Sequence, residues 1–389
     1  MLVRKAVIDN FDDALNLVKK TGCDARVYKL LAKKAVLNPV IIEKLDNRAA
    51  NILKQEALAC GADAAVNENV SRFKKGFSDI VLFATIKQLE ILKNKFSLQP
   101  FGLKEISEKL NAVILNISAS ERMFRFKNSK ITFGNPAVMG IINMDPDSFS
   151  GDGLTNSEDA LKQAVEFEKD GAQIIDIGAE SSRPGVKPVD AKTEIQRLIP
   201  VLKKIKKAVK IPVSVDTYKY ETAKAVLSEG ADIINDIYAL RHGKEKLAKL
   251  IADKKAGFIL MHMKGTPENM QKSPKYENCT SEVFEFLEEQ KKYAESFGIK
   301  SDFIAVDPGI GFGKTLAHNI ELIKNMDVFS SLGAVVAGVS RKKFLRILSG
   351  EKQASFVAAN FLAACRGADI IRAHDVKDTA AVLNLLNQI

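Results

Sequence analysis

From residue 137 to the C-terminus, short runs of valine, isoleucine and alanine alternate with longer stretches whose apolar residues recur every three or four positions. The short runs predict buried strands, and the 3.6-residue spacing predicts helices that pack on them by one face. The strands are expected at 137–143, 173–178, 212–216, 232–236, 257–262, 302–307, 334–339 and 369–373. The helices are expected at about 157–170, 190–208, 219–229, 243–254, 281–297, 315–326, 353–366 and 376–388. Eight strands alternating with eight helices over about 250 residues predict a parallel (β/α)8 barrel rather than a doubly wound sheet. Met123–Phe126 and Ile131–Phe133, joined by the polar turn Lys127-Asn128-Ser129-Lys130, read as a hairpin that plugs the bottom of the barrel.

The preceding third has a different texture. Asp46–Cys60, Lys87–Lys95 and Leu103–Leu110 read as helices, and Ala64–Asn67, Asp79–Thr85 and Val113–Ile117 as strands. The expected organisation is a smaller α/β accessory domain over 1–122 and the barrel over 123–389. The formal net charge of +10 is uneven, with +7 on residues 1–125 and +3 on the rest. The basic residues form no arginine-rich block and no aromatic-interleaved motif. A solvated face or small anionic ligands explain them better than nucleic acid does. Four cysteines stand far apart without a Cys-x-x-Cys pair, which argues against structural zinc and a disulfide framework. The N-terminus carries no signal-peptide core, and no apolar run approaches the ~20 residues of a membrane span. The expected setting is the cytoplasm.

In a (β/α)8 barrel, chemistry belongs where strands run into their following loops. Polar residues collect there on nearly every strand: Asn143, Asp176, Asp216, Asn235-Asp236, His262, Asp307, Ser340-Arg341-Lys342 and Arg372-Ala373-His374-Asp375. Taken singly, Asp216, Asp236 and Asp375 could cap the next helix, and His262 could be a satisfied core residue. Together they divide by chemistry. Asp216, Asn235, Asp307 and Lys342 suit a flat heterocycle with paired donors and acceptors, and Phe312 could pack on its ring. Arg183, Arg372, His374 and Asn143 suit phosphate oxygens, with Asn143 a candidate hard-metal ligand. No nucleophile with an adjacent base stands out, so displacement of a phosphate leaving group fits better than hydrolysis.

The most concentrated motif is Asp307-Pro308-Gly309-Ile310-Gly311-Phe312-Gly313-Lys314. A phosphate-loop pattern would need glycine where Pro308 stands, and a dinucleotide fingerprint would need it where Lys314 stands. Neither fits. The motif is an aspartate on a strand tip followed by a loop whose backbone can approach a ligand closely.

At this level of detail the chain resembles the dihydropteroate synthases. The resemblance rests on Ile141-Ile142-Asn143 with Pro146-Asp147-Ser148-Phe149-Ser150, and on Gly178-Ala179-Glu180-Ser181-Ser182-Arg183-Pro184-Gly185. It continues through Ser214-Val215-Asp216-Thr217, Asn235-Asp236-Ile237 and Met261-His262-Met263-Lys264-Gly265-Thr266-Pro267. The glycine motif, Gly338-Val339-Ser340-Arg341-Lys342 and Arg372-Ala373-His374-Asp375 complete it, from about residue 131 onward.

The resemblance implies a Mg2+-assisted transferase that joins 6-hydroxymethyl-7,8-dihydropterin diphosphate to para-aminobenzoate. It implies that Asp216, Asn235, Asp307 and Lys342 hold the pterin, with Met263 and Phe312 beside it. Asp216, Lys342 and Asp307 are the expected catalytic residues. Asn143, Arg183, Arg372 and His374 would hold the diphosphate, with Asn143 beside the metal. Ser182, Arg183, Pro184 and Ser340 would shape the para-aminobenzoate site, and loops 144–153 and 180–188 would close over both. A homodimer through the last helices is implied as well.

Two departures from the family pattern stand out. Asp145 replaces the usual threonine, adding a carboxylate near the expected metal, and Ser182 stands where many members have threonine. The alternative is a pterin-dependent methyltransferase on the same barrel. It needs no diphosphate site, and the Ser-Ser-Arg-Pro-Gly loop and Arg372-x-His374 count against it.

Overall fold

The structure is a computed structural model that describes residues 1–8, 10–118, 122–144, 156–180, 188–350 and 352–386. The chain divides into two compact units, Met1–Ser120 and Glu121–Ile389.

The N-terminal unit holds a three-stranded antiparallel sheet: β1 (Leu37–Asp46), β2 (Asp63–Ala65) and β3 (Phe77–Thr85), in the order β1-β3-β2. Helices Asn47–Ala59, Ile86–Phe96 and Leu103–Ser118 cover one face through a core that includes Leu53, Leu82, Leu89 and Leu110. One sequence expectation fails here. Val113–Ile117 is the last part of a helix, not a strand: Leu103, Ser107, Leu110 and Ile114 are its buried positions, and their three- and four-residue spacing outweighs a β-branched run. Strand β1 goes unrecognised because Pro39 interrupts it, which an edge strand tolerates.

The second unit opens with the hairpin β4 (Arg122–Phe126) and β5 (Ser129–Phe133). Eight parallel strands follow: β6 (Ala137–Asn143), β7 (Ile174–Gly178), β8 (Val213–Asp216), β9 (Ile233–Asp236), β10 (Gly257–Met261), β11 (Ile304–Asp307), β12 (Ala334–Ala337) and β13 (Ile370–Ala373). They pair in sequence order, and β13 closes back onto β6. Each expected strand and helix of the barrel is present to within about two residues. One short helix, Lys343–Ser349, was not foreseen.

The hairpin does plug the barrel. Phe124, Phe126 and Phe133 pack with Met139, Ile174, Ile233, Ile259 and Ile370 in one buried cluster. Arg122 and Lys127 pin it, pairing with Asp369 at 2.8 Å and Asp232 at 2.9 Å. Gly257 is required under this plug, since a Cβ there would stand 2.9 Å from the Phe124 ring. Bottom sealed by phenylalanine and wall buried on both faces, the barrel is left with only its upper end for polar groups to converge.

Candidate active site

Strands β8, β9 and β11 end in Asp216, Asn235-Asp236 and Asp307 because an apolar run gives way to polar residues as the chain leaves the barrel wall. Asp216, Asn235, Asp307, Lys342 and Arg372 meet around one narrow pocket, walled by Ile237, Met261, Gly309, Ile310, Phe312 and Gly338. Its free interior is about 20 Å³, room for a single water. The Lys342 ammonium lies 4.2 Å from the centre of the Phe312 ring, a cation–π contact that fills the space over that ring. A wider, open cleft lies on the loop after β10, lined by Lys264, Asn269, Met270 and Lys275. It gathers no convergent acids and bases, whereas the narrow pocket does.

Arg372, grouped from sequence with the phosphate residues, has carboxylate partners in this structure. Its guanidinium donates to Asp176 at 2.7 Å and to Asp216 at 2.8 Å. It lines the pocket beside the carboxylates of the heterocycle group. Asp176, fully buried on β7, was given no role from sequence, and it also accepts from Asn235 at 3.4 Å. The available signal was a carboxylate in an otherwise apolar strand, which burial allows only with a cationic partner.

The electrostatics follow from this crowding. Burial pushes the Asp216 carboxyl up to about 7, Arg372 pulling it down and Asp176 adding to the rise. Burial likewise lowers Lys342 to about 8, with Arg372 acting in the same direction and Asp307 and Asp216 opposing. Asp307 is raised by burial, against the N–H that Gly309 donates to it at 2.7 Å. Burial works against the charge on Arg372, but its two carboxylates hold it above its ordinary value.

The remaining candidates sort as follows. Phe312 lines the pocket. Met263 is buried in a cluster with Met261, Tyr238, Met270 and Phe312, and it is Met261 that reaches the pocket wall. Met261 ends the strand, whereas Met263 lies two residues beyond it, in the loop. Ser340, expected at the amine site, is 4% exposed and lies 3.2 Å from His374 Nδ1, so it joins the residue expected on phosphate. Asn143 is half-buried at the tip of β6, beside the glycine that ends β7. Asp236 is structural, its carboxylate accepting the N–H groups of Tyr238 and Leu240 at 2.8 and 2.7 Å. Asp375 is bound to Arg341 at 2.7 Å. Asp145, Ser182, Arg183 and Pro184 lie outside the described residues, as does most of both loops.

Residues 139–374 match the family model described as "Pterin binding enzyme". A dihydropteroate synthase of Streptococcus pyogenes is 40% identical over 264 residues, covering 66% of this chain and 96% of that protein. A probable bifunctional folylpolyglutamate synthase/dihydropteroate synthase of Haloferax volcanii is 33% identical over 390 residues. That alignment takes in 96% of this chain, the N-terminal unit included, and the chain spans 46% of that longer protein. Among solved structures, the Xanthomonas albilineans dihydropteroate synthase with 4-aminobenzoic acid superposes with a TM-score of 0.63 at 36% identity, covering 69% of this chain and 98% of that one. Barrel, pocket and relatives agree: the chain belongs to the pterin-binding enzymes and, within them, to the dihydropteroate synthases.

Proposed function

We propose that the barrel joins 6-hydroxymethyl-7,8-dihydropterin diphosphate to para-aminobenzoate, and that the narrow pocket seats the pterin. The observation that carries this reading is the meeting of half-buried Asp216 and buried Asp307 with Asn235 and Lys342 beside the Phe312 ring. An amino-pyrimidine edge presents paired N–H donors that a buried carboxylate accepts, and Asp307 and Asn235 are placed for that edge. Lys342 supplies a donor for the ring's acceptors. It must lift off Phe312 as the bicyclic ring enters, because the pocket as it stands holds only one water.

In the reaction the bond from the exocyclic methylene to the diphosphate oxygen breaks, and its electron pair leaves with pyrophosphate. The amine nitrogen then forms the new C–N bond and releases a proton. Positive charge develops on the pterin as the leaving group departs. Asp216, held at the pocket edge by Arg372, faces that charge with a fixed carboxylate. Water must be kept from the cation, a task that loops 144–153 and 180–188 would perform with Ser182, Arg183 and Pro184 around the amine. Asn143, Arg183, Arg372 and His374 would hold the diphosphate, with Ser340 beside His374.

Magnesium fits as a partner of the diphosphate. Among the described residues no group of three or more histidine, cysteine, aspartate or glutamate side chains could hold a metal. Asn143 would supply one amide oxygen, with phosphate oxygens and water completing the shell. The ion would draw charge from the leaving oxygen. A second copy of the chain would dock on the last helices, where Ile347, Leu348, Leu362 and Leu385 are exposed. A cytoplasmic location accords with four free cysteines, and among the described residues no helix is long and apolar enough to cross a membrane.

Mixing the protein with pterin diphosphate and para-aminobenzoate is expected to release pyrophosphate in step with dihydropteroate. Methyl transfer from a methylated pterin without pyrophosphate would favour the methyltransferase reading instead. A pH profile tests the charge pattern. kcat/KM for the pterin substrate is expected to rise as Asp216 ionises near 7 and to fall as Lys342 loses its proton near 8. Asp216→Asn should remove the rising limb, and a profile unchanged by that substitution would sink its assignment.

A further inference from the structure

Lys314 closes the glycine motif, yet neither the pocket nor the proposed chemistry uses it. It is 3% exposed, and among the described residues no carboxylate bonds its ammonium. Nζ instead lies 2.8 Å from His262 Nδ1 and donates to the carbonyl of Phe312 at 3.0 Å. His262 follows β10 directly, is 5% exposed and packs edge-on against Phe286. Lys314 therefore joins the loop after β11 to the end of β10 across the wall that carries Phe312.

The rest of the loop is tied as well. Gly311 donates to Asn319 at 2.7 Å and accepts from Gln271 at 2.8 Å, and Gly313 accepts from the Tyr276 hydroxyl at 2.9 Å. The Phe312 carbonyl is the group left to Lys314. Burial pushes Lys314 down to about 7, so both of its protonation states are populated near neutrality. Ammonium and neutral amine each retain two N–H donors, enough for Phe312 and His262 together. A buried lysine without a carboxylate is costly to keep as a structural filler, and a methionine would fill the same volume more cheaply.

We infer that Lys314 is a positioning residue for the pterin site: it braces the Phe312 carbonyl against the His262 ring and so fixes the Phe312 side chain, and Lys342 above it, in the pocket wall. This rests on the reading of the pocket as a pterin seat. The brace acts through Phe312 and touches no reacting atom, so it governs affinity for the pterin more than the chemical step.

The test is calorimetric titration of the full chain and its variants with 6-hydroxymethyl-7,8-dihydropterin diphosphate, alongside steady-state kinetics. Lys314→Met and His262→Leu are each expected to weaken pterin binding about tenfold, the scale of one lost hydrogen bond. At saturation kcat should fall less than about threefold and KM for para-aminobenzoate should hardly move, since only binding that is equal in ground and transition states is lost. His262→Asn keeps an acceptor near the Nδ1 position and should restore most of what His262→Leu loses, which a purely space-filling role would not produce. Thermal unfolding of Lys314→Met should occur at or above the parent temperature. Parent-like pterin affinity in Lys314→Met, while Asp307→Asn abolishes binding, overturns this inference alone. Failure of the parent to bind the pterin diphosphate overturns the pterin reading with it.

Discussion

Replacing Arg372 with methionine is expected to destabilise the barrel by about 3–5 kcal/mol at neutral pH, the usual consequence of stripping a buried ion pair of one partner. Asp176 is fully buried and Arg372 is its cationic partner, with Asp216 held on the same guanidinium. Without the guanidinium, two carboxylates share a low-dielectric space, and one of them must take up a proton. The sign of the pH dependence follows. Burial already raises Asp216 to about 7, and losing Arg372 removes the one influence among its larger causes that lowers it. The folded variant would then bind more protons than the unfolded chain at weakly acidic pH, so its stability should recover as pH falls from 7 toward 4. Adding Asp176→Asn to Arg372→Met should recover part of the loss at pH 7. Urea unfolding at pH 5 and pH 7 checks all three outcomes. Parent-like stability of Arg372→Met at pH 7 would mean that the guanidinium is uncommitted and free for phosphate. The substitution should also weaken pterin binding, because Asp216 loses its anchor, so its effect would not be confined to the diphosphate.

Gly309→Ala is expected to cost at least 100-fold in pterin affinity, about 3 kcal/mol, while the barrel remains folded. Gly309 adopts φ +68°, where an alanine is strained by about 1–2 kcal/mol. The larger obstacle is space. A Cβ at this position would fall 1.8 Å from the His262 carbonyl oxygen and 2.9 Å from its carbon. Both are backbone atoms at the end of β10, so neither can swing aside, and the loop must move off the strand. Asp307 would lose the Gly309 N–H, and Phe312 would leave the pocket wall. Gly311→Ala is the informative contrast. Its Cβ would meet Lys342 Cδ at 3.1 Å, the middle of a flexible side chain. That variant, at φ +85°, should carry a similar strain of about 1–2 kcal/mol yet stay folded, and lose turnover through displacement of Lys342. Circular dichroism, thermal unfolding and pterin titration on the pair separate the two cases, and equal affinity in Gly309→Ala and the parent would refute the close-approach argument.

The Arg372 and Gly309 arguments depend on different kinds of information. That Gly309 needs to be glycine was half visible in sequence, since three glycines beside an aspartate at a strand tip already imply close backbone approach. That Arg372 serves two carboxylates was not visible at all, because Asp176 and Asp216 lie 196 and 156 residues from it along the chain. The same division separates Met261 from Met263. They stand two residues apart in one motif, and only the path of the chain past the strand end decides which meets the pocket.

The sequence by itself determined the eight strands and helices, the closing hairpin, the strand-tip positions of Asp216, Asn235 and Asp307, and Lys342 in the loop after its strand. It could do so because periodicity and strand-to-loop transitions are local properties, written within a dozen residues of each position. The tertiary structure alone decided the partners. Arg372 pairs with the aspartates, Ser340 lies against His374, and Lys314 against His262, each across 34 to 196 residues of intervening chain. It also turned Val113–Ile117 into helix, because burial against Leu53 and Leu89 rewards a three- and four-residue spacing that β-branched residues only weakly oppose. Charge pairing in a buried site depends on which groups closure of the barrel brings within 3 Å, and no local pattern records that distance.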